Sequence, residues 1–405
     1  MKLSHDTSQY GNSKGVSTQH YLIKMLDRIL TQLDKNKKHE VNAVLVQLVD
    51  WSQAFDRQCP LLGIQAFIRN GVRKSLIPVL INFFQDRKMK VKWRKKLSSI
   101  RDLPGGGPQG SSIGLIEYDA QSNDNTEFIP PDDKYKWVDD LSVLEIINLI
   151  TVGLSSYNFK QHVASDIGIE QLYLPSENIK SQEYLDNIAS WTEGRKMKLN
   201  EKKTKMMIFN CSKKYQFATR LNLNNSQIET VNVTQVLGTF ISSDLSWYRN
   251  TQYLVKRGYA RMSIIRNLYQ FNIPEEDLVQ IYCLYIRTVL EYNSSVWFSS
   301  ITLEESNDLE RVQKVACKMI LKAEYTDYGT ALVRLNIQSL RERRQILAKR
   351  FAVKCTKSEN FKKMFPLSNK QYNGQRKQEK YEVKFSRTLR LCKSGIPAMQ
   401  RLLNQ

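Results

Sequence analysis

Residues 134–146 read KYKWVDDLSVLEI, two apolar runs with alternating side chains that are separated by a pair of aspartates. Alternation with a period of two is typical of β-strands, and two such runs this close together indicate a tight hairpin. Adjacent carboxylates repel each other unless a cation lies beside them, and oxygen ligands of this kind suit Mg²⁺. The stretch therefore predicts a β-hairpin with Asp139 and Asp140 at its tip, although an isolated acidic pair is more often a solvated turn than a metal site.

A third aspartate follows a strand that is predicted to be buried. Residues 41–49 are almost continuously apolar and rich in valine, which indicates a strand covered on both faces. Asp50 comes at its end, where a carboxylate is held rigidly but can still reach solvent and ions. Taken alone, an aspartate in this place more often caps the next helix than takes part in a reaction.

Residues 105–111 read GGGPQGS and predict a glycine-rich loop. Glycine tolerates backbone conformations with positive φ and lets another chain or a base pair approach the backbone closely. An ordinary loop explains the glycines by themselves, but the Pro-Gln-Gly-Ser string at 108–111 is unusual for a simple turn.

The remaining periodicities predict an α+β domain up to about residue 245 and a helical region after it. Helical patterns occupy residues 20–33, 61–82, 187–197, 278–290, 302–320 and 339–354. Strand patterns occupy residues 87–93, 206–209 and 233–241, and residues 368–380 have the polar composition of a linker. In the strand at 87–93, lysines alternate with apolar side chains, so one face is predicted to be wholly cationic.

The composition favours a polyanionic partner. Lys and Arg total 61 against 40 Asp and Glu, which gives a net charge of +21, and residues 331–405 alone hold 19 basic and four acidic residues. Such an excess favours binding to nucleic acid, although a solvated cationic surface has the same composition. We find no apolar run of transmembrane length and no signal peptide, so a membrane role is disfavoured. The six widely spaced cysteines indicate reduced thiols, and hence an intracellular protein.

The order of these acidic and glycine-rich features resembles motifs A, B and C of reverse transcriptases. Motif A of this family has an aspartate followed five residues later by an aromatic residue and often by a further aspartate, here Asp50, Phe55 and Asp56. Motif B corresponds to the Pro-Gln-Gly-Ser string, which contains Gln109 and Gly110. Motif C corresponds to the aspartate pair of the predicted hairpin. The stretch at 112–115 departs from the family pattern because it lacks the proline commonly found there.

Two later strings continue the resemblance. The string KLNEKKTK at 198–205 is similar to motif D, and Lys203 matches the lysine of its Leu-Asn-x-x-Lys-Thr core. The string VLGT at 236–239 is similar to motif E, the primer grip, and contains Leu237 and Gly238.

Further strings narrow the resemblance to one branch of the family. Residues 290–297 and 309–314 are typical of jockey-like and related elements, and residues 9–18 resemble the last piece of the fingers. Together, these strings identify the chain as similar to the reverse transcriptase of a non-LTR (LINE or jockey-like) retrotransposon, with its N-terminal portion missing.

This resemblance implies a particular architecture. The palm would be a ferredoxin-like sheet with partial fingers before it, and an all-α thumb and a basic helical C-terminal region would follow. The expected segments are partial fingers at 1–40, the palm with motifs A to E at 41–245, the helical thumb at 246–330 and the basic helical region at 331–405.

The resemblance also implies a two-metal polymerase. Asp50 and Asp139, supported by Asp140, would hold two Mg²⁺ ions, one of which activates the primer 3′-hydroxyl while the other steadies the leaving pyrophosphate. Phe55 would act as a steric gate that leaves no room for a 2′-hydroxyl, and Lys203 would lie near the triphosphate. The alternatives are core packing for Phe55 and a solvated surface position for Lys203.

The expected partners are an RNA template, a DNA primer and deoxynucleoside triphosphates, and no protein partner is indicated. In the family, Gln109 and Gly110 would pack against the nascent base pair, and Leu237 and Gly238 would contact the primer. The resemblance places the activity in the cell, with the nucleus as the expected compartment.

Three functional hypotheses follow from the sequence. The first is an active RNA-directed DNA polymerase, and the second is a catalytically inactive retrotransposon remnant that still binds nucleic acid. A viral RNA-copying polymerase is disfavoured by Phe55, because such an enzyme must accept the 2′-hydroxyl. The family's upstream finger strands and endonuclease domain are missing from residues 1–405, so we expect primer extension by this chain alone to be weak or undetectable.

Overall fold

The computed structural model describes residues 6–36, 40–103, 105–108, 110–150, 161–163, 170–212, 215–369 and 379–405. The chain forms two compact units, Met1–Tyr21 with Lys37–Val231 and Leu22–Asn36 with Asn232–Gln405. The α-helices are α1 (Thr18–Asp34), α2 (Pro60–Arg69), α3 (Ile77–Phe84), α4 (Ser112–Ser122), α5 (Lys180–Gly194), α6 (Tyr248–Leu268), α7 (Glu275–Ile281), α8 (Thr288–Leu290), α9 (Ser294–Trp297), α10 (Leu303–Leu321), α11 (Tyr328–Arg334), α12 (Leu340–Thr356), α13 (Leu389–Cys392) and α14 (Gly395–Asn404).

The strands confirm the predicted mixture of helices and sheet. They are β1 (Glu40–Val49), β2 (Lys88–Met89), β3 (Lys92–Trp93), β4 (Lys96–Leu97), β5 (Arg101–Asp102), β6 (Lys134–Trp137), β7 (Asp140–Ile150), β8 (Gln161–Val163), β9 (Glu170–Leu174), β10 (Lys205–Asn210), β11 (Tyr215–Thr219), β12 (Asn222–Leu223), β13 (Ser226–Gln227), β14 (Glu229–Thr230), β15 (Val233–Val236) and β16 (Thr239–Ser242). None of the helices in the described part of the chain is long and apolar enough to cross a membrane.

A five-stranded sheet organises the first unit. Its strand order is β14-β10-β1-β7-β6, with β1 antiparallel to both of its neighbours and β14 parallel to β10. Consecutive residues of β1, from Ala43 to Val46, are all buried. Since successive side chains of a strand point to opposite faces, both faces of β1 are covered, as its valine-rich sequence predicted.

The predicted hairpin is formed by β6 and β7. Trp137 pairs with Asp140, so the turn consists of Val138 and Asp139. Strand β7 also pairs with β1, and there Val49 of β1 lies opposite Leu141 of β7. The residue that follows β1 and the tip of the hairpin therefore lie at the same end of adjacent strands.

Two predicted elements of the first unit are interrupted in the structure. The helix expected over 61–82 ends at Arg69, because Gly71 adopts a φ of +74° that an α-helix cannot contain. The strand expected over 87–93 is broken into β2 and β3, which pair with β5 and β4 apart from the main sheet. Its lysines and its apolar side chains are all exposed, so neither face is covered by the described residues of this unit.

The second unit is mainly helical and contains a small hairpin. Residues 233–241 were predicted as a single strand, but they form β15 and β16 around a turn at Leu237 and Gly238. Both turn residues have positive φ, 46° and 79°, which reverses the chain. Helix α10 begins with a capping box, in which Thr302 and Glu305 each accept a hydrogen bond from the other's backbone N–H group.

Within the second unit, helix α1 contacts the last segment of the chain. Lys384 Nζ lies 2.7 Å from Asp27 Oδ2 on α1. The carboxylate of Asp34, at the end of the same helix, accepts hydrogen bonds from the backbone N–H groups of Arg387 (2.9 Å) and Thr388 (2.8 Å). These contacts fasten the C-terminal part of α1 to the last segment of the chain.

Candidate active site

The first unit brings the three predicted catalytic aspartates together. Asp50 follows β1 directly, Asp139 lies in the β6–β7 turn and Asp140 begins β7. Burial raises the pKa of Asp140 to about 6, and the negative charges of Asp139 and Asp50 add to that shift, although part of the Asp140 side chain is exposed. The site thus concentrates negative charge at one end of the sheet.

Asp50 is held by the segment that precedes β10. Its backbone N–H donates to Thr204 Oγ1 (3.3 Å), and its carbonyl accepts from Asn200 N–H (2.8 Å). Burial raises the pKa of Asp50, the charge of Asp139 raises it further, and Lys203 and the Asn200 side chain oppose the shift. Lys203 is exposed, but its ammonium is close enough to act on Asp50. The motif D segment therefore lies beside the carboxylates.

The donor set of this site suits a divalent cation. Asp50 Oδ2 is buried and accepts no hydrogen bond from the described residues, which leaves an oxygen ligand free. A cation would also relieve the repulsion that raises the pKa of Asp140. No group of three or more His, Cys, Asp or Glu side chains in the described ranges could enclose a metal by itself. This arrangement fits Mg²⁺, because that ion usually takes one or two carboxylates and completes its shell with water and substrate phosphates.

An aromatic pair lies next to the carboxylates. The half-buried ring of Phe55 stacks on Tyr118 of α4, with 4.9 Å between ring centroids. Burial raises the pKa of Tyr118 well above its usual value, and the charges of Asp139, Asp119, Asp140 and Asp50 add to that shift. Phe55 is thus brought to the same locality as the aspartates, beside a tyrosine that the sequence did not single out.

The glycine-rich loop is hydrogen-bonded to the residues that follow Phe55. Gly107 N–H donates to the Phe55 carbonyl (2.7 Å), and Gly106 N–H donates to the Gln58 carbonyl (2.8 Å). A Cβ at position 107 would come within 1.8 Å of Gln58 Oε1, so any larger residue here would have to displace the Gln58 side chain. Gln109 lies outside the described residues.

The end of the same loop leads into α4. Gly110 is exposed with a φ of +86°. Ser111 then caps α4 by accepting a hydrogen bond from Gly114 N–H (3.1 Å). The helix therefore begins normally without the proline that the family commonly has here.

Two polar side chains, Arg87 and Glu117, lie near the glycine-rich loop. Arg87 Nη2 donates to the carbonyls of Gly105 (3.0 Å) and Gly106 (2.5 Å). Glu117 of α4 is fully buried nearby and accepts from Gln121 Nε2 (3.1 Å). Burial raises the pKa of Glu117 to about 7, although the charge of Arg87 opposes the shift. Local sequence does not mark Glu117 as buried, because it is one of two acids on a helix that mixes polar and apolar residues.

Replacing Glu117 by Gln should make the protein more stable at pH 8 but not at pH 5. The folded-state pKa of about 7 lies above the ordinary value of 4.5, so ionisation of Glu117 costs folding free energy as pH rises between these two values. Glutamine has no such cost, and the gain in unfolding free energy at pH 8 should be on the order of 2 to 3 kcal/mol. Urea denaturation at both pH values measures it.

The exposed Glu127 provides the matched control. Glu127→Gln removes the same charge, and its effect on the unfolding free energy should be the same at pH 5 and pH 8. An equal response of the two variants to pH would contradict the assignment of the raised pKa to Glu117.

The predicted primer-grip residues lie in the second unit. The turn at Leu237 and Gly238 is held by a residue of the family-like string at 290–297, because Tyr292 Oη donates to the Leu237 carbonyl (2.9 Å). A Cβ at position 238 would lie 3.0 Å from the Tyr292 ring. Asn293 Nδ2 donates to Thr239 Oγ1 (2.9 Å). These contacts give the string at 290–293 a structural role that the sequence alone did not suggest.

Comparison with known proteins relates the chain to transposon polymerases. No model of a known protein family matches it. It is 24% identical over 345 residues to a probable RNA-directed DNA polymerase from transposon BS of Drosophila melanogaster, which covers 82% of the chain and 34% of that protein. It is 28% identical over 116 residues to a probable RNA-directed DNA polymerase from transposon X-element of the same species, which covers 29% of the chain and 12% of that protein.

These relatives confirm the resemblance to transposon reverse transcriptases that the ordered motifs predicted. The chain spans 34% of the length of the transposon BS protein. Among solved structures, it is similar to apo telomerase from Candida tropicalis, with 14% identity, a TM-score of 0.38 and coverage of 87% of this chain and 55% of that one. Telomerase from Candida albicans, solved with a fragment of telomeric RNA, gives 13% identity and a TM-score of 0.36 over 89% of this chain and 55% of that one. A likeness at these TM-scores says nothing about the site.

Proposed function

We propose that the chain carries the catalytic part of an RNA-directed DNA polymerase of a non-LTR retrotransposon. The observation that carries the proposal is the meeting of Asp50, Asp139 and Asp140 at one end of two paired strands, where burial raises the pKa values of Asp50 and Asp140 and the charge of Asp139 adds to both shifts. The relatives named as RNA-directed DNA polymerases support the same reading. On this proposal the five-stranded sheet is the palm, and the helices from α6 onwards are the thumb and the basic C-terminal region.

Each residue of the site has a distinct part in the proposed reaction. Asp50 and Asp139, with Asp140 in support, would hold two Mg²⁺ ions, which activate the primer hydroxyl and neutralise the leaving pyrophosphate when they are bound. Lys203 would offset the charge of the triphosphate, since its ammonium already acts on Asp50. Phosphoryl transfer depends chiefly on aligning the reactants and neutralising charge, and acidic side chains, metal ions and a lysine can supply both.

The other substrate contacts follow from the motif positions. Gln109 and Gly110 would pack against the new base pair, and Leu237 and Gly238 would contact the primer. The substrates would be an RNA template, a DNA primer and deoxynucleoside triphosphates, and the compartment would be the nucleus.

Replacing Phe55 by Val should relax the choice of sugar. On this proposal the Phe55 ring fills the space that a 2′-hydroxyl would occupy, and removing it should reduce the preference for deoxynucleotides over ribonucleotides about a hundredfold. Single-nucleotide extension with each type of triphosphate measures the ratio of kcat/KM values.

Phe83→Val is the control, because Phe83 lies on the exposed side of α3 and its loss removes the same volume. If Phe55→Val lowers the melting temperature but leaves the sugar preference unchanged, Phe55 only packs in the core.

Binding of an RNA–DNA duplex should weaken steeply with salt. The segment 331–405 carries most of the net charge, and three of its cations, Lys349, Arg350 and Lys354, are exposed on α12. If about four phosphates are contacted, a fourfold rise in salt lowers the affinity about a hundredfold, because bound counterions are released. Replacing the three cations by Gln should flatten the slope of log affinity against log salt. Affinity that does not change with salt would show that this basic surface is not the contact surface.

The alternative function is an inactive remnant that binds nucleic acid but does not polymerise. The two readings predict the same salt dependence and differ in primer extension. Extension that depends on the aspartates supports the polymerase, whereas duplex binding without any extension, even in a longer protein that supplies the fingers, supports the remnant.

A further inference from the structure

The turn that carries Asp139 has an unfavourable backbone conformation. Val138 adopts a φ of +58°, which β-branched residues avoid because of steric crowding. Such a conformation persists only where surrounding groups fix it. The groups that contact the Val138 backbone therefore decide where the following carboxylate points.

Gln9 provides one such contact. Its side-chain Oε1 accepts hydrogen bonds from Val138 N–H and from Gly11 N–H, both at 3.1 Å. The residues around it run alongside β6, since Tyr10 N–H donates to the Lys136 carbonyl (2.8 Å). One amide oxygen thus joins the tip of the hairpin to a neighbouring segment that is itself bound to the hairpin's strand.

Gly11 provides the second contact. A Cβ at this position would lie 2.7 Å from Val138 N and 2.8 Å from Val138 Cγ2. Any side chain there would have to displace the turn. Because Gly11 has no side chain, its backbone can pack directly against Val138.

The other end of the Gln9 amide reaches the helix beside the site. Gln9 Nε2 donates to Asp119 Oδ1 (3.3 Å), and Asn12 Nδ2 donates to Asp119 Oδ2 (3.2 Å). Asp119 lies on α4 immediately after Tyr118, the residue that stacks on Phe55. Gln9 therefore bridges the turn that carries Asp139 and the helix that supports the predicted steric gate.

We infer that Gln9 is a positioning residue that, together with Gly11, holds the Val138–Asp139 turn in the orientation needed for Asp139 to bind a divalent cation. The inference rests on the proposed function, because Asp139 is a metal ligand only if that function is right. Side chains that orient metal ligands in this way usually change the metal affinity when they are replaced.

The test uses the full chain and two measurements that do not depend on polymerase activity. Gln9→Leu keeps a similar volume but removes all three hydrogen bonds of the Gln9 side chain, to Val138, Gly11 and Asp119. Hydrogen exchange of the Val138 amide should become about tenfold faster, because its hydrogen-bond acceptor is lost. The affinity for Tb³⁺, used as a luminescent probe of the carboxylate site, should fall about 10- to 100-fold.

The matched control is Asn12→Ala, which removes a contact to Asp119 but leaves Val138 untouched. It should show nearly unchanged exchange at Val138 and nearly unchanged Tb³⁺ affinity. Should Gln9→Leu fail to fold, Gly11→Ala gives the same two measurements, because its methyl group displaces the turn while Gln9 remains.

The outcomes separate this inference from the proposed function. Exchange at Val138 that is the same in Gln9→Leu and in the parent chain overturns the inference, even if Tb³⁺ binds. Faster exchange with unchanged, Asp139-dependent Tb³⁺ affinity also overturns it, since the contact would then be structural only. If Asp139→Asn does not weaken Tb³⁺ binding, the proposed metal site fails, and the inference about metal positioning fails with it.

Discussion

Asp139→Asn should reduce RNA-templated primer extension by about a thousandfold or more, because a catalytic metal ion contributes several kcal/mol to stabilising the transition state. The asparagine keeps the size of the side chain but supplies only one neutral oxygen ligand. Asp50→Asn should have an effect of the same order, since both carboxylates lie at the same end of the paired strands. Single-turnover extension of a labelled primer on an RNA template measures the rates, in a longer protein that supplies the fingers where residues 1–405 alone extend the primer too weakly.

Asp132→Asn is the control for this experiment. Asp132 is exposed just before β6, and its substitution removes one negative charge from the same hairpin. Its extension rate should remain within a factor of about three of the parent rate, as is usual for an exposed side chain. Binding of Mn²⁺, followed by electron paramagnetic resonance, should be weakened by Asp139→Asn and not by Asp132→Asn. Primer extension that is unchanged in Asp139→Asn would show that Asp139 is not a catalytic residue.

Asp6→Ala should destabilise the first unit by about 3 to 5 kcal/mol, as expected when one partner of a buried ion pair is removed. Asp6 Oδ2 lies 3.1 Å from Lys136 Nζ and 3.7 Å from Lys134 Nζ, and both lysines are buried. Without the carboxylate, two buried ammonium groups lose their counter-charge. Urea denaturation at neutral pH gives the change in unfolding free energy.

The pH dependence gives an independent check on Asp6. Burial opposes its ionisation, but the charges of Lys136 and Lys134 and the Ser8 N–H hold its pKa below the usual value. A lowered folded-state pKa means that the stabilisation is present at neutral pH and is lost as pH falls through that lowered value.

The difference between Asp6→Ala and the parent chain should therefore shrink in acid. Adding Lys136→Met to Asp6→Ala should recover part of the stability, because one unpaired buried charge is then removed. Equal stability of the parent and Asp6→Ala at neutral pH would show that the lysines are compensated elsewhere.

The sequence predicted those parts of the site that depend on local patterns. Strand β1, the hairpin around Asp139 and the segment with Lys203 each have a period or a motif that is contained within about ten residues. That these segments form one site was also predictable, because their order along the chain resembles that of the motifs that form the active site of reverse transcriptases.

Contacts between distant segments were not predictable in the same way. Lys134 and Lys136 alternate with apolar residues, a pattern that does not distinguish exposed from buried lysines, and both are buried against Asp6. Nothing in the local sequence marks Gln9 as the acceptor for Val138, which is 129 residues away. The turn at 237–238 was missed because apolar side chains on both sides of it continue the pattern of one strand.

The contacts between α1 and the end of the chain affect how the protein can fold while it is being made. Asp27 and Asp34 leave the ribosome early, but their partners Lys384 and Thr388 follow more than 350 residues later. Domains generally fold as units during synthesis, so residues 37–231 can fold first. Until residues 232–405 have been made, the apolar face of residues 22–34 lacks the residues against which it packs in the second unit. We therefore expect nascent chains of intermediate length to bind chaperones through this helix and to release them once residue 388 has emerged.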